Sequence, residues 1–126
     1  MSKRVLVCDD SILMRKMVKD TLIDDGWEVA GEAGNGEESV TKYHKMQPDA
    51  VTLDIVMPGT DGLYALKKIM AADPSAKVVV VSALNQTQLI SDAIRSGAHD
   101  FIAKPFLPEQ LQQTMATCLT TPAAAT

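Results

Sequence analysis

The stretch Val5-Leu6-Val7-Cys8-Asp9-Asp10-Ser11 decides how the rest of the chain is read. Its apolar residues run on without polar ones between them. A strand with one wet face would alternate, so this run suits a strand covered on both faces, as in a parallel sheet between two helix layers. The run stops at two carboxylates, and Ser11 is a good helix N-cap. Strand, acidic turn and helix start thus fall within seven residues.

The alternation continues along the chain without an internal sequence repeat. Further strand-like runs are Glu28–Glu32, Ala50–Leu53, Lys77–Val81 and Asp100–Ala103. Between the runs, apolar residues recur at helical spacing. The sets are Leu13, Met17, Val18, Thr21 and Leu22; Val40, Tyr43, His44 and Met46; Leu63, Leu66, Ile69 and Met70; Leu89, Ile90, Ala93 and Ile94; and Leu107, Leu111, Met115 and Leu119. Gly26 and Gly97 stand where helices should stop, and Asp73-Pro74 closes a third. Asn85 is read as an N-cap, and Pro108-Glu109 suits the first turn of the last helix. The pattern predicts an α/β fold with a three-layer α/β/α arrangement of five βα units.

At 126 residues the chain has room for one domain with a core of its own, needing neither disulfide nor metal to fold. The longest pure aliphatic run, Val78–Val81, is far short of the ~20 residues a bilayer requires. The N-terminal apolar run ends at Asp9, too early for a signal peptide, so a cytoplasmic protein is expected. The net charge of −4 argues against nucleic acid as the main partner. Cys8 and Cys118 are expected to be buried thiols rather than a disulfide. Residues 1–119 are read as the domain, and Thr120–Thr126 as a terminal tail or the start of a linker.

Ligands of open parallel sheets bind outside the carboxyl ends of the strands. Asp9 and Asp10 follow the first strand, Asp54 the third, Ser82 the fourth and Lys104 the fifth. Each alone has a plain reading as a cap or a surface group; together, at four of five strand ends, they point to a site. Three carboxylates on one edge repel, so either a pKa rises or a cation enters. All-oxygen ligands without His or Cys favour a hard cation, most simply Mg²⁺. Lys104 and Ser82 suit a phosphoryl oxygen. Asp54, facing the Asp9/Asp10 pair, is the best candidate nucleophile for an aspartyl-phosphate.

Read together, Val-Leu-Val-Cys-Asp-Asp-Ser (5–11), Leu-Asp-Ile-Val-Met-Pro-Gly-Thr-Asp-Gly (53–62), Val-Val-Val-Ser-Ala (79–83) and Asp-Phe-Ile-Ala-Lys-Pro-Phe (100–106) resemble the response-regulator receiver domain of two-component signalling. The resemblance spans about residues 3 to 119 and is strongest to small stand-alone chemotaxis regulators. It implies a flavodoxin-like fold with strand order 2-1-3-4-5. It also implies Asp54 as phosphoacceptor, and Mg²⁺ held by Asp10, Asp54 and the Val56 backbone carbonyl, with Asp9 acting directly or through water. Ser82 would hydrogen-bond the phosphoryl group and Lys104 would pair with it. The Lys104–Pro105 peptide bond would be cis, and Pro58, Asp61 and Gly62 would shape the loop after Asp54. Phe101 matches an aromatic switch position. The implied partners are a histidine kinase of the chemotaxis type and an output protein on the face of helix 4, strand 5 and helix 5, such as a flagellar switch or a phosphatase. The chain would act as a monomer. Val56 and Leu84 are apolar where the best-studied chemotaxis member is polar.

Other readings compete. A receiver from another pathway, or one cut from a longer regulator, carries the same motifs. An Asp-nucleophile phosphatase of the haloacid-dehalogenase type wants an Asp two residues after the nucleophile, where this chain has Val56. A flavin or nucleotide domain wants a Gly/Ser/Thr-rich cradle after strand 1, where Asp9 and Asp10 would repel phosphate. With one small domain, the output is expected to be surface binding, and the only catalysis expected is self-phosphorylation and autodephosphorylation.

Overall fold

A computed structural model describes residues 3–57, 62–83 and 85–120. Strands and helices alternate along it. The order is β1 (Arg4–Cys8), α1 (Ile12–Asp24), β2 (Glu28–Ala33), α2 (Gly36–Met46), β3 (Ala50–Leu53), α3 (Gly62–Ala72), β4 (Val78–Ala83), α4 (Thr87–Arg95), β5 (Asp100–Lys104) and α5 (Pro108–Thr120). All strand pairs are parallel, in the order β2-β1-β3-β4-β5.

Residue parity divides the core in two, because successive strand side chains point to opposite faces. Leu6, Cys8, Val51, Leu53, Val78 and Val80 pack with Tyr43, Ala65, Leu66, Ile69 and Ala93 from α2, α3 and α4. Val5, Val7, Val79 and Ile102 pack with Val18, Leu22, Leu111, Met115 and Cys118 from α1 and α5. Both faces of the central strands are buried, which is why β1 and β4 carry unbroken apolar runs at Val5–Cys8 and Val78–Val81, and why Thr52 of β3 is buried too.

The helix ends follow local chemistry. Ser11 caps α1, its Oγ accepting from the Met14 N–H at 3.1 Å. Asn35 caps α2 through the Glu38 N–H at 2.8 Å, with acidic residues in the first turn and His44 and Lys45 in the last, matching the helix dipole. Gly26 (φ 88°) and Gly97 (φ 112°) turn the chain after α1 and α4 in the left-handed region that glycine enters without penalty.

Several sequence expectations are corrected. Ser82 and Lys104 lie inside β4 and β5, not after them, because the pairing continues through Ser82↔Ala103 and Ala83↔Lys104. The cap position of α4 is Gln86, whose side chain makes no capping bond, and Asn85 sits one residue outside. Leu13 and Met17 do not join the buried stripe of α1, which is Val18 and Leu22; Leu13 is 69% exposed. Ile94 and Leu107 are likewise exposed, and His44 faces solvent. Both cysteines are buried and free, and burial pushes the Cys8 thiol up to about 12 and Cys118 up to about 11. Among the described residues no helix is long and apolar enough to cross a membrane.

Candidate functional site

The register of β1 against β3 builds the site. Cys8 pairs with Leu53, so the residues that follow, Asp9 and Asp54, emerge side by side at the carboxyl edge. The Asp54 N–H donates to the Cys8 carbonyl at 3.0 Å, extending the ladder by one bond. Pairing of β3 with β4 and of β4 with β5 brings Ser82 and Lys104 to the same edge.

Asp9, Asp10 and Asp54 each offer a carboxylate oxygen, and these oxygens lie within 4.8 Å of one another. Asp9 and Asp54 are buried, and Asp10 is exposed at the rim. The Lys104 Nζ donates to Asp9 Oδ2 at 2.9 Å and to Asp54 Oδ2 at 3.1 Å. The other oxygens accept from backbone: Asp9 Oδ1 from the Ser11 N–H at 2.9 Å, Asp54 Oδ1 from the Val56 N–H at 3.0 Å. Burial raises the Asp54 carboxyl above the usual carboxylate range; the Val56 N–H and Lys104 oppose that without reversing it. Burial pulls the Lys104 ammonium down, and the Asp9 hydrogen bond with both carboxylate charges outweighs it, so its pKa is raised.

Around this centre, Ser82 is buried and Val56 is 46% exposed at the mouth. The Gly62 N–H donates to the Ile55 carbonyl at 3.1 Å and closes the loop after Asp54. Pro58 and Asp61, named above as loop-shaping, and Leu84 lie outside the described residues. The Lys104–Pro105 peptide bond is cis. Phe101 is half-buried and lines a groove of ≈ 370 Å³ with Gln110, Gln113 and Thr114.

Sequence reasoning missed one group beside the site. Arg15 Nη1 donates to the Asp9 carbonyl at 2.6 Å, and its Nε bonds Glu32 Oε1 at 3.0 Å. Lys19 holds the other Glu32 oxygen at 2.8 Å. The spacing of Arg15 and Lys19 puts two cations on one helix face, but their carboxylate comes from β2, and only the tertiary fold names it.

The donor set fits a hard divalent cation. Three carboxylates against one ammonium leave a formal charge of −2, and each carboxylate pair repels by about 3 kcal/mol at 5 Å and an effective dielectric of 20. Oxygen donors alone, with a rim open at Asp10, suit Mg²⁺, which retains several waters.

The response regulator receiver domain family matches residues 5–116. The chain is 50% identical to the chemotaxis protein CheY of Thermotoga maritima, over 91% of this chain and 96% of that protein. It is 44% identical to CheY of Bacillus subtilis, with the same coverage. Among solved structures, the CheX–CheY–BeF3–Mg²⁺ complex of Borrelia burgdorferi matches with a TM-score of 0.84 and 38% identity, covering 90% of this chain and 87% of that one. The response regulator domain of Thermotoga maritima CheB matches at 0.88 and 34%, covering 96% and 98%. The Asp9–Asp10–Asp54–Lys104 edge therefore stands on a chain that belongs to the response regulator receiver family and is closely related to the chemotaxis protein CheY.

Proposed function

We propose that this chain is a chemotaxis response regulator phosphorylated on Asp54. The observation that carries the reading is the Asp54 carboxylate, buried at the end of β3 within reach of Asp9 and Lys104. An Asp54 oxygen attacks the phosphorus of a phosphohistidine on a histidine kinase; the O–P bond forms, the P–N bond breaks, and imidazole leaves. Lys104, already bonded to Asp54, turns to a phosphoryl oxygen, and the Ser82 hydroxyl donates to another. The Val56 N–H, bonded to Asp54 Oδ1, holds the nucleophile in one orientation. Mg²⁺, held by Asp10, Asp54 and the Val56 carbonyl with Asp9 direct or through water, would neutralise charge on the transferring group. A relative known in complex with BeF3 and Mg²⁺ supports this assignment.

The output follows from Ser82 and Phe101, one on each of two paired strands. Drawing Ser82 toward the phosphoryl group frees space for Phe101 to turn inward, shifting a two-state population on the α4–β5–α5 face. Partners there are a flagellar switch protein or a phosphatase; a CheX–CheY complex exists for a relative. The protein transforms no external metabolite, and its only chemistry is its own phosphorylation and hydrolysis. Residues 1–119 form this receiver unit, acting as a monomer in the cytoplasm.

Incubation with Mg²⁺ and acetyl phosphate tests the assignment by intact mass and peptide mapping. One phosphoryl group on Asp54 is expected. Equal labelling of Asp54→Ala rejects it.

A further inference from the structure

We infer that Arg15 is a positioning residue for the cation site, fixing the Asp9–Asp10 peptide from which two of the three carboxylates project. The inference rests on the reading of that pocket as a Mg²⁺ site. Asp9 is held at every polar atom. Its N–H donates to the Ala33 carbonyl at 3.0 Å, and its two carboxylate oxygens accept from Ser11 and Lys104. The remaining atom, the carbonyl oxygen, accepts from Arg15 Nη1 at 2.6 Å, a short charge-assisted bond.

That carbonyl lies in the same peptide plane as the Asp10 nitrogen. Pinning it sets the direction in which Asp10 leaves β1. Asp10 is exposed, with none of the burial that restrains Asp9, so its aim depends on its own backbone. Arg15 is restrained in turn. Its side chain is 19% exposed, its Nε is bonded to Glu32, and Lys19 fixes the far side of that carboxylate. The Lys19 bond, then the Arg15 bond, hold the Glu32 carboxyl below the usual carboxylate range. A chain of contacts therefore runs from the end of β2, through α1, to the turn carrying the ligands. Partners of this kind orient metal ligands, and their loss typically costs about 10- to 100-fold in metal affinity.

Electrostatics and positioning predict opposite signs. Arg15 is a cation beside an acidic pocket, so by charge alone its removal tightens Mg²⁺ binding. If its work is to aim the Asp9–Asp10 peptide, removal weakens binding despite the gain in negative potential. Isothermal titration of the full chain with MgCl2 reads this sign directly, without phosphorylation. Arg15→Met is expected to bind Mg²⁺ about tenfold more weakly or worse. Arg15→Lys, which keeps the charge but cannot span Asp9 and Glu32, is expected to fall between. The Asp10 amide resonance in a ¹H–¹⁵N spectrum should shift in Arg15→Met without Mg²⁺, because its peptide has lost the carbonyl bond. Thermal unfolding in EDTA shows whether each variant is folded. Arg15→Met binding Mg²⁺ as tightly as wild type, or more tightly, overturns the inference; should that variant not fold, the same result with Arg15→Lys does. A wild type that takes no Mg²⁺ overturns the underlying reading of the pocket instead.

Discussion

Gly62 has no room for a side chain because of Asp54: a Cβ there would fall deep inside van der Waals contact with the Asp54 carbonyl oxygen and the Ile55 Cα. The obstacle is space, not backbone conformation. The start of α3 lies directly against the backbone carrying Asp54. Gly62→Ala must therefore push apart two backbone segments, which cannot swing aside as a flexible side chain does. Overpacking of this kind costs about 1–3 kcal/mol, and the upper end is expected here. Urea denaturation should show that loss, and phosphorylation by acetyl phosphate should slow with it. Wild-type stability in Gly62→Ala would show that the loop after Asp54 yields freely.

Lys104 is the counter-ion of two buried carboxylates, and Lys104→Met leaves both without it. Breaking a buried pair by removing one partner costs about 3–5 kcal/mol, and the low end applies where a backbone N–H still bonds each carboxylate. Without Lys104 the pocket carries one more net negative charge, so Mg²⁺ should bind more tightly and recover much of the lost stability. Under the proposed mechanism phosphoryl transfer should nonetheless fall by at least about 100-fold, since the cation assigned there to the phosphoryl oxygens is gone. Thermal melts with and without Mg²⁺, paired with labelling rates, separate the two effects. Unchanged labelling would remove Lys104 from the mechanism.

The legible part of this protein was what one short segment displays. Apolar runs covered on both faces announced the parallel sheet, and carboxylates closing the runs at Asp9 and Asp54 announced the edge. Strand order came through the family resemblance, since no local pattern states which strands are neighbours. Strand ends were less visible: Ser82 and Lys104 are polar, and polarity suggested that the strands had stopped. Pairing to Ala103 and Ala83 kept them in the ladder. Arg15, Glu32 and Asp9 form one contact chain from three elements, and Tyr43 meets Asp73 across 30 positions. Such partners are decided by packing. Leu13 and Met17 failed differently: their helical spacing is real, but the buried stripe of α1 lies one position round, at Val18 and Leu22.

Tyr43 ties α2 to the end of α3, its hydroxyl donating to Asp73 Oδ2 at 2.6 Å. Ser75 first, then Tyr43, hold the Asp73 carboxyl below its usual range. Burial, then the Asp73 bond, push the Tyr43 phenol well above its ordinary value. A raised folded-state pKa contributes stability fully present below the unfolded value of about 10, and lost as pH rises through the folded one. Tyr43→Phe should cost about 1 kcal/mol near neutrality, since Asp73 keeps Ser75 and is partly open to water. Above pH of about 10 the two proteins should converge in stability. Urea titrations across that range check it; parallel curves would mean that Tyr43 ionises as freely in the fold as outside it.

Val56 stands at the mouth of the pocket, 46% exposed, with its N–H committed to Asp54 and an apolar side chain facing outward. Hydrolysis of an aspartyl-phosphate needs a water held in line with the bond that breaks. A valine offers that water no hydrogen bond; an asparagine of similar size offers both a donor and an acceptor. One hydrogen bond formed mainly in the transition state is worth about 1 kcal/mol, or about fivefold in rate. Val56→Asn should therefore shorten the phosphoryl lifetime by about that factor. Because the residue is exposed, the fold should not change, and Mg²⁺ affinity should stay near wild type, since position 56 is expected to contribute only its backbone carbonyl. Phosphorylating both proteins, removing the donor and following loss of the Asp54 label gives the two decay constants. Equal or slower decay in Val56→Asn would place control of hydrolysis elsewhere in the pocket, with Lys104 the first group to vary next.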